Sequence, residues 1–184
     1  MEDILILVDS EDNAIGAQGK LSVHQQGLLH RAFSVFIFDS KGRLLLQQRA
    51  RGKYHSGGLW TNSCCGHPRW GESTKAAAVR RLQEEMGFCT DLKKVSSFIY
   101  HAEVPGDLIE HELDHIYVGL YDGYPKVNPD EADDWLWIDI PQLIQRLKLH
   151  PDSFTVWFKK IINNFTINRL ESWGETAFRE CNPH

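Results

Sequence analysis

Cys65, Gly66 and His67 set a thiol two residues before an imidazole, inside the stretch WTNSCCGHPRWGESTKAAAVRRLQEEMGF at residues 60–88. Thiols, imidazoles and carboxylates are the side chains that exchange protons with a substrate or bind a divalent metal. The same stretch carries a spaced series: Gly66, Glu72, Arg80, Leu82, Glu84, Glu85, Gly87 and Phe88. Arg81 and Glu85 stand four apart, so on a helix they share a face. Further along, IEHELDH sets Glu110 and Glu112 two apart, and on a strand these carboxylates point the same way. Taken alone, the helix charges are a solvated ion-paired surface and the strand charges a protected sheet edge. Lone histidines are usually structural. His24 and His30 are six apart, so one helical turn does not bring them together, and a loop has to fold them inward.

The spaced series resembles the Nudix box, the loop–helix–loop that holds a divalent metal against a diphosphate. It departs from the box at one position. After its arginine a Nudix hydrolase carries glutamate, and Arg81 stands there instead. With Thr61-Asn62-Ser63 and Cys65-Gly66-His67-Pro68 just upstream, the chain resembles the type 1 isopentenyl diphosphate isomerases, which use the Nudix fold for an allylic proton shift. The resemblance covers about residues 30–165. It implies an α+β fold, a Nudix-type α/β/α sandwich with a mixed β-sheet, as a single domain over 1–184. Residues 1–29 are an addition typical of the isomerases, and 168–184 a C-terminal extension.

The activity implied is interconversion of isopentenyl and dimethylallyl diphosphate through a tertiary carbocation. The resemblance gives the proton-transfer roles to Cys65 and Glu112. Cys64 is the competing thiol, but only Cys65 stands directly before Gly66-His67. Tyr100 is placed beside a metal-bound carboxylate as a proton relay. Trp157 offers its ring face to the developing cation, an attraction worth up to about 2 kcal/mol or more when desolvated. Lys20, Arg49, Lys53 and Arg81 form the basic set for the diphosphate, in which arginine brings a bidentate fork. Two metals are implied. Mg2+ joins the diphosphate at Glu85, helped by a backbone carbonyl near Cys65. A second divalent ion, Mn2+ or Zn2+ with Mg2+ as a further candidate, is held by His24, His30, His67, Glu110 and Glu112. Five protein ligands exceed the usual three of a catalytic zinc and favour a six-coordinate ion. Two rivals differ in class: a Nudix hydrolase of a nucleoside diphosphate derivative, and a catalytically silent Nudix-fold module that binds a phosphorylated ligand.

The elements that must position these residues follow from pattern. Residues 4–8 and 14–19 read as short strands around a polar turn. Residues 20–30 are a polar segment. Residues 31–38 and 43–49 read as a β-hairpin about the turn 39–42. A glycine- and cation-rich loop, 50–58, leads to an irregular stretch at 60–67. Residues 73–86 are a helix with Gly87 as its left-handed cap. Two long strands, 94–103 and 108–121, pair about a Pro-Gly-Asp turn. After an acidic loop at 125–134 comes a short strand at 135–138. Helices at 141–149 and 153–167 follow, the latter with Val156, Trp157, Ile161, Ile162 and Phe165 on a helical period. The tail from 169 has no clear period. Trp60 and Trp70 read as structural.

The 184 residues suffice for one self-sufficient core, and the hydrophobic fraction of 42% is that of a globular chain. The net charge of −5 argues against general nucleic-acid binding and leaves room for a local basic pocket. No apolar run has membrane-spanning length, and the first residues do not read as a secretory signal. Four cysteines without a CxxC pair suggest free thiols and a cytoplasmic location, with Cys89 and Cys181 as small buried hydrophobes. The partner expected is a small diphosphate, with no nucleic acid and no membrane, and the protein a monomer or weak dimer.

Overall fold

The structure, a computed structural model, describes residues 3–53 and 55–181, with the side chains of the last two set aside. The sheet is built on β3 (His30–Phe38), whose sequence HRAFSVFIF is apolar almost throughout. Such a run suits a strand covered on both faces. Along one edge β3 pairs in parallel with β8 (Leu108–Leu120), from His30 opposite Glu112 to Phe38 opposite Leu120. Along its other edge it meets three partners in turn. These are β1 (Ile4–Val8) at His30, β6 (Cys64–Gly66) at residues 33–35, and β4 (Leu44–Arg49) at Phe38. β2 (Ala14–Gly19) extends β1, and β7 (Lys93–Val104) extends β8. β4 carries β5 (Trp60–Thr61) and β9 (Ala132–Ile138).

Strand alternation divides β3 between two cores. Phe36 and Phe38 join Ile116, Val118, Trp157, Phe158, Ile161 and Trp173 on one face. Phe33, Val35 and Ile37 join Ala77, Ala78, Leu82 and Met86 on the other. Helix α2 (Thr74–Met86) covers the second face. Ser73 caps its start by accepting from the Ala76 amide, and Gly87 ends it at φ 76°. Helices α3 (Ile140–Leu149), α4 (Val156–Asn164) and α5 (Ile167–Cys181) lie against the first. The result is the α/β/α sandwich with a mixed sheet that the sequence implies.

Several local expectations change. The polar segment at 20–30 contains a helix, α1 (Lys20–Gln26), closed by Gly27 in the left-handed region at φ 62°. The strands at 31–38 and 43–49 hardly form a hairpin: they pair only at Phe38 and Leu44. β3 spends its ladder on β8, and β4 on β9, because long-range partners bury both faces better than a two-stranded ribbon does. The helix expected at 153–167 is a 3-10 turn followed by α4, which stops before Phe165. The tail is a helix. Leu170, Trp173 and Ala177 are buried on its inner face, with Trp173 edge-on to Phe36 at 5.4 Å. That period is short of apolar residues and so hard to read. Trp60 packs against the first core, whereas Trp70 is exposed. Cys89 is exposed, and the Cys181 side chain lies outside the described residues.

Gly87 separates two costs of a side chain. A Cβ there would be forced into the left-handed region and into the carbonyl oxygen of Lys126, whereas one at Gly42 (φ 75°) would meet only the first. Gly42→Ala is expected to lower the unfolding free energy by about 1–2 kcal/mol. Gly87→Ala is expected to cost clearly more. Urea denaturation of the two variants checks the ranking.

Candidate active site

Sheet register assembles the site. His30 on β3 lies opposite Glu112 on β8, which lies opposite Tyr100 on β7, so three side chains stand in a row on one face. Further along the same face come Asp114, two residues beyond Glu112, and Ser34, four beyond His30, and Ser34 is paired with Cys65 on β6. Cys64, its covalent neighbour, points the other way into the core beneath α2. Cys65 lines a cavity of about 260 Å³ together with Lys20, His24, Arg49, Lys53, His67, Arg81, Glu85, Tyr100, Glu110, Glu112 and Trp157. His30 is completely buried beneath it. The structure thus gathers twelve of the sequence-derived residues around one cavity and sets the thirteenth directly behind it.

Three imidazoles converge at the closed end. Ring centroids of His24 and His30 are 5.0 Å apart, those of His30 and His67 5.0 Å, and those of His24 and His67 5.9 Å. His24 comes from α1, and its Nδ1 lies 2.7 Å from the Lys20 carbonyl one turn back. Nδ1 of His30 lies 2.9 Å from the Leu28 carbonyl. A carbonyl only accepts, so both Nδ1 atoms carry a proton, and Nε2 is the atom each ring turns inward, with a free lone pair whenever the ring is neutral. Those lone pairs face carboxylate oxygens, at 3.3 Å between His24 and Glu110 and 3.5 Å between His30 and Glu112. His67 Nε2 lies 3.0 Å from the same Glu112 oxygen.

Lone pairs set against carboxylates repel unless a cation lies among them, and a proton or a metal can serve. The donor atoms of His24, His30, His67 and Glu112 all lie within 4.8 Å of one another. Neutral imidazoles and a carboxylate suit a borderline divalent ion. The residues present therefore fit a metal. Glu110 stands at the rim of this group, one oxygen toward His24 and the other toward His55.

Charge is distributed unevenly over the site. Burial opposes the charge on Glu112, but the imidazoles of His30 and His67 outweigh it and hold the carboxyl well below the usual range. Its other oxygen accepts from the Tyr100 hydroxyl at 2.7 Å. Asp114 goes the opposite way. Burial and the neighbouring Glu112 charge push it well above the usual range, and it accepts from Ser34 at 2.8 Å. Burial pushes the Cys65 thiol up to about 12, only partly offset by Arg49. His67 is driven down to about 4 by burial, so its ring is neutral at pH 7.

The open end is basic. Arg81 donates to Glu84 at 2.7 Å and to Glu85 at 2.6 Å, and lies 3.1 Å from Glu131. Burial disfavours its charge, but these carboxylates more than compensate and raise its affinity for the proton. Lys53 pairs with Glu131 as well. Both Glu85 oxygens are engaged, one by Arg81 and the other by Gln47 at 2.8 Å. Arg80 forks onto Glu72 at 2.8 and 2.9 Å and ties the loop before α2 to the helix. The Arg49 guanidinium lies over the Trp157 ring, 5.0 Å from its centre.

Sequence reasoning passed over His55, Ser34, Asp114, Gln47 and Glu131. Asp114 had a signal, since it continues the alternation of Glu110 and Glu112. His55 had none, because it lies in an irregular loop whose path the pattern does not fix.

The NUDIX domain profile matches residues 28–158. A solved structure from Deinococcus radiodurans shares the fold, with a TM-score of 0.68 at 20% identity over 80% of this chain and 90% of that one. The fold and the profile define the class: this is a NUDIX domain. The chain is 67% identical over 177 residues to the isopentenyl-diphosphate Delta-isomerase of Serratia proteamaculans (strain 568), covering 96% of this chain and 99% of that protein. It is 58% identical to isopentenyl-diphosphate Delta-isomerase 2 of Photorhabdus laumondii over 94% of this chain and 98% of the relative. The chain belongs to the isopentenyl-diphosphate Delta-isomerase family. Among the described residues no helix is long and apolar enough to cross a membrane.

The bare nitrogens make a metal prediction with a sign. Burial opposes protonation of His24, but Glu110 and Glu112 outweigh it and raise its pKa. A proton therefore holds the inward nitrogen at higher pH than in an ordinary histidine, and it competes with a metal. Mn2+ or Zn2+ uptake, followed by calorimetry, is expected to weaken as the pH falls from about 7.5 to about 5.5. His30→Ala is expected to weaken it by tenfold or more at either pH.

Proposed function

We infer that the protein interconverts isopentenyl diphosphate and dimethylallyl diphosphate by moving one proton onto an allylic unit and another off it. The observation that carries the mechanism is that Cys65 and the Glu112–Tyr100 pair line one cavity from different strands, with opposite preferences for a proton. Between them, Cys65 and Glu112 hold one acidic proton, and in the free protein it sits on sulfur. One group first gives its proton to the terminal alkene carbon, which leaves a tertiary carbocation, and the other then takes a proton from the adjoining methylene as the new double bond forms; that proton passes back to the first group before the next turnover. The proton changes hands in each turnover. The hydroxyl of Tyr100 steadies Glu112 when charged and offers a path for its proton.

The carbocation between these steps needs a surface that does not add to it. The Trp157 ring supplies one, by an attraction of about 2 kcal/mol in a dry site. Lys20, Arg49, Lys53 and Arg81 take the diphosphate. Arg81 stands where a hydrolase carries a carboxylate, so the diphosphate serves as a handle and stays attached. Arg49, stacked on Trp157, lies between the two regions.

His24, His30, His67, Glu110 and Glu112 are proposed to hold one divalent ion, Mn2+, Zn2+ or Mg2+. Bound there, it would supply positive charge beside Glu112 and so tune that group's hold on its proton. Glu85 is proposed to share Mg2+ with the diphosphate, in exchange for its present bond to Arg81. Residues 1–184 are taken as one domain, a monomer or weak dimer. The free thiols Cys64, Cys65 and Cys89 favour a cytoplasmic setting.

Isopentenyl diphosphate incubated with the protein and Mg2+ in heavy water is expected to yield dimethylallyl diphosphate deuterated in a methyl group, read by NMR. Release of inorganic phosphate with no isomer would sink the proposal in favour of a hydrolase. Unchanged substrate that nevertheless binds would favour a silent binding module. Cys65→Ala and Glu112→Gln are each expected to cut kcat by about 10²-fold or more. Cys65→Ala should leave KM near its original value, and Cys64→Ala should leave kcat within a few-fold.

A further inference from the structure

His55 is 7% exposed and comes from the irregular loop between β4 and β5. Its Nε2 lies 3.2 Å from Oε1 of Glu110 and its Nδ1 3.1 Å from the Ser56 hydroxyl. A carboxylate only accepts, so a neutral His55 carries its proton on Nε2, and Nδ1 accepts from Ser56. This is the opposite tautomer to His24, whose proton lies on Nδ1. Glu110 is therefore held between two unlike imidazoles. One oxygen faces Nε2 of His55 at 3.2 Å, and the other faces Nε2 of His24 at 3.3 Å. The second side is the one on which His24 meets His30 and His67. The His55 ring also stands edge-on to Trp157, with centroids 5.9 Å apart and planes at 88°, and its carbonyl lies 3.4 Å from Nη2 of Arg49.

We propose that His55 is a positioning residue that locks Glu110 as a one-oxygen ligand and ties the metal site to the aromatic wall of the substrate cavity. Donors behind ligating carboxylates fix their orientation and raise the affinity of the site. Without this bond Glu110 is free to rotate, and its inward oxygen has to be ordered anew each time a metal binds. Because the same ring abuts Trp157, the loop that brings His55 in also braces the aromatic wall of the cavity.

The inference rests on the metal reading of the site, and the test separates the two. Mn2+ alone is titrated into metal-free protein, followed by the electron paramagnetic resonance of the free ion. His55→Phe keeps an aromatic edge for Trp157 and removes the donor. It is expected to weaken Mn2+ binding about 10- to 100-fold. His55→Gln restores an N–H donor and is expected to remain within roughly threefold of the original protein. Original protein that binds Mn2+ no more tightly than His55→Phe overturns the inference alone. So does His55→Gln that loses as much as His55→Phe, since restoring the donor would then restore nothing. If His55→Phe does not fold, His55→Leu, which also lacks the donor, takes its place under the same thresholds. Original protein that takes up no Mn2+ overturns the metal reading and this inference with it.

Discussion

The parallel ladder between β3 and β8 is the constraint on which the site depends. It sets His30 opposite Glu112, and the antiparallel ladder with β7 adds Tyr100 to the same row. A strand has a side-chain period of two, so a slip of one residue would turn every one of these groups to the opposite face. The core guards against that slip. Phe36 and Phe38 fill one side of the sheet and Phe33, Val35 and Ile37 the other, and each set is shaped to its own helices. The apolar end of β3 thus holds the register that the polar end uses. The imidazoles and carboxylates need no stabilising energy of their own to stay in place, which is fortunate, since burying them is costly.

That cost is managed by arranging charge in alternation. Glu110 and Glu112 are met by imidazoles, and Asp114, pushed well above the usual carboxylate range by burial and the Glu112 charge, accepts from Ser34. At the mouth of the cavity the sign is reversed. Arg81 and Lys53 are held in place by Glu84, Glu85 and Glu131, so the cations are ordered before any anion arrives. Cations fixed in advance cost less to engage than free side chains, because their rotamer entropy has already been lost. A protein of net negative charge can in this way keep a basic pocket without a basic surface.

Helix α2, the long strand pair and the alternation of Glu110 with Glu112 were legible because each rests on a local period. The resemblance then supplied the grouping of His24, His30 and His67 that no local period could. What escaped was what depends on distant partners. The β3–β4 hairpin looked sound from its turn, but each strand pairs mainly elsewhere, and only the folded sheet shows that. α1 was hidden because its sequence KLSVHQQ is polar and short, and its stability comes from packing Val23 and His24 inward. Among the described residues, α5 buries Leu170, Trp173 and Ala177 on its inner side, too sparse a stripe to stand out in an otherwise polar tail. His55 lies in a loop, where spacing says little about direction.

Cys64 and Cys65 are joined by one peptide bond, yet the pleat sends them to opposite sides of the sheet. One sulfur is sealed under α2 and the other looks into the cavity. The sheet acts as a partition between two solvents. An electrophilic substrate mimic small enough to enter meets a single thiol, even though the chain writes two in succession. The pair is likewise kept from closing on itself by oxidation, since the two sulfurs do not face a common space. Adjacent identical residues thus become distinct reagents through backbone geometry alone.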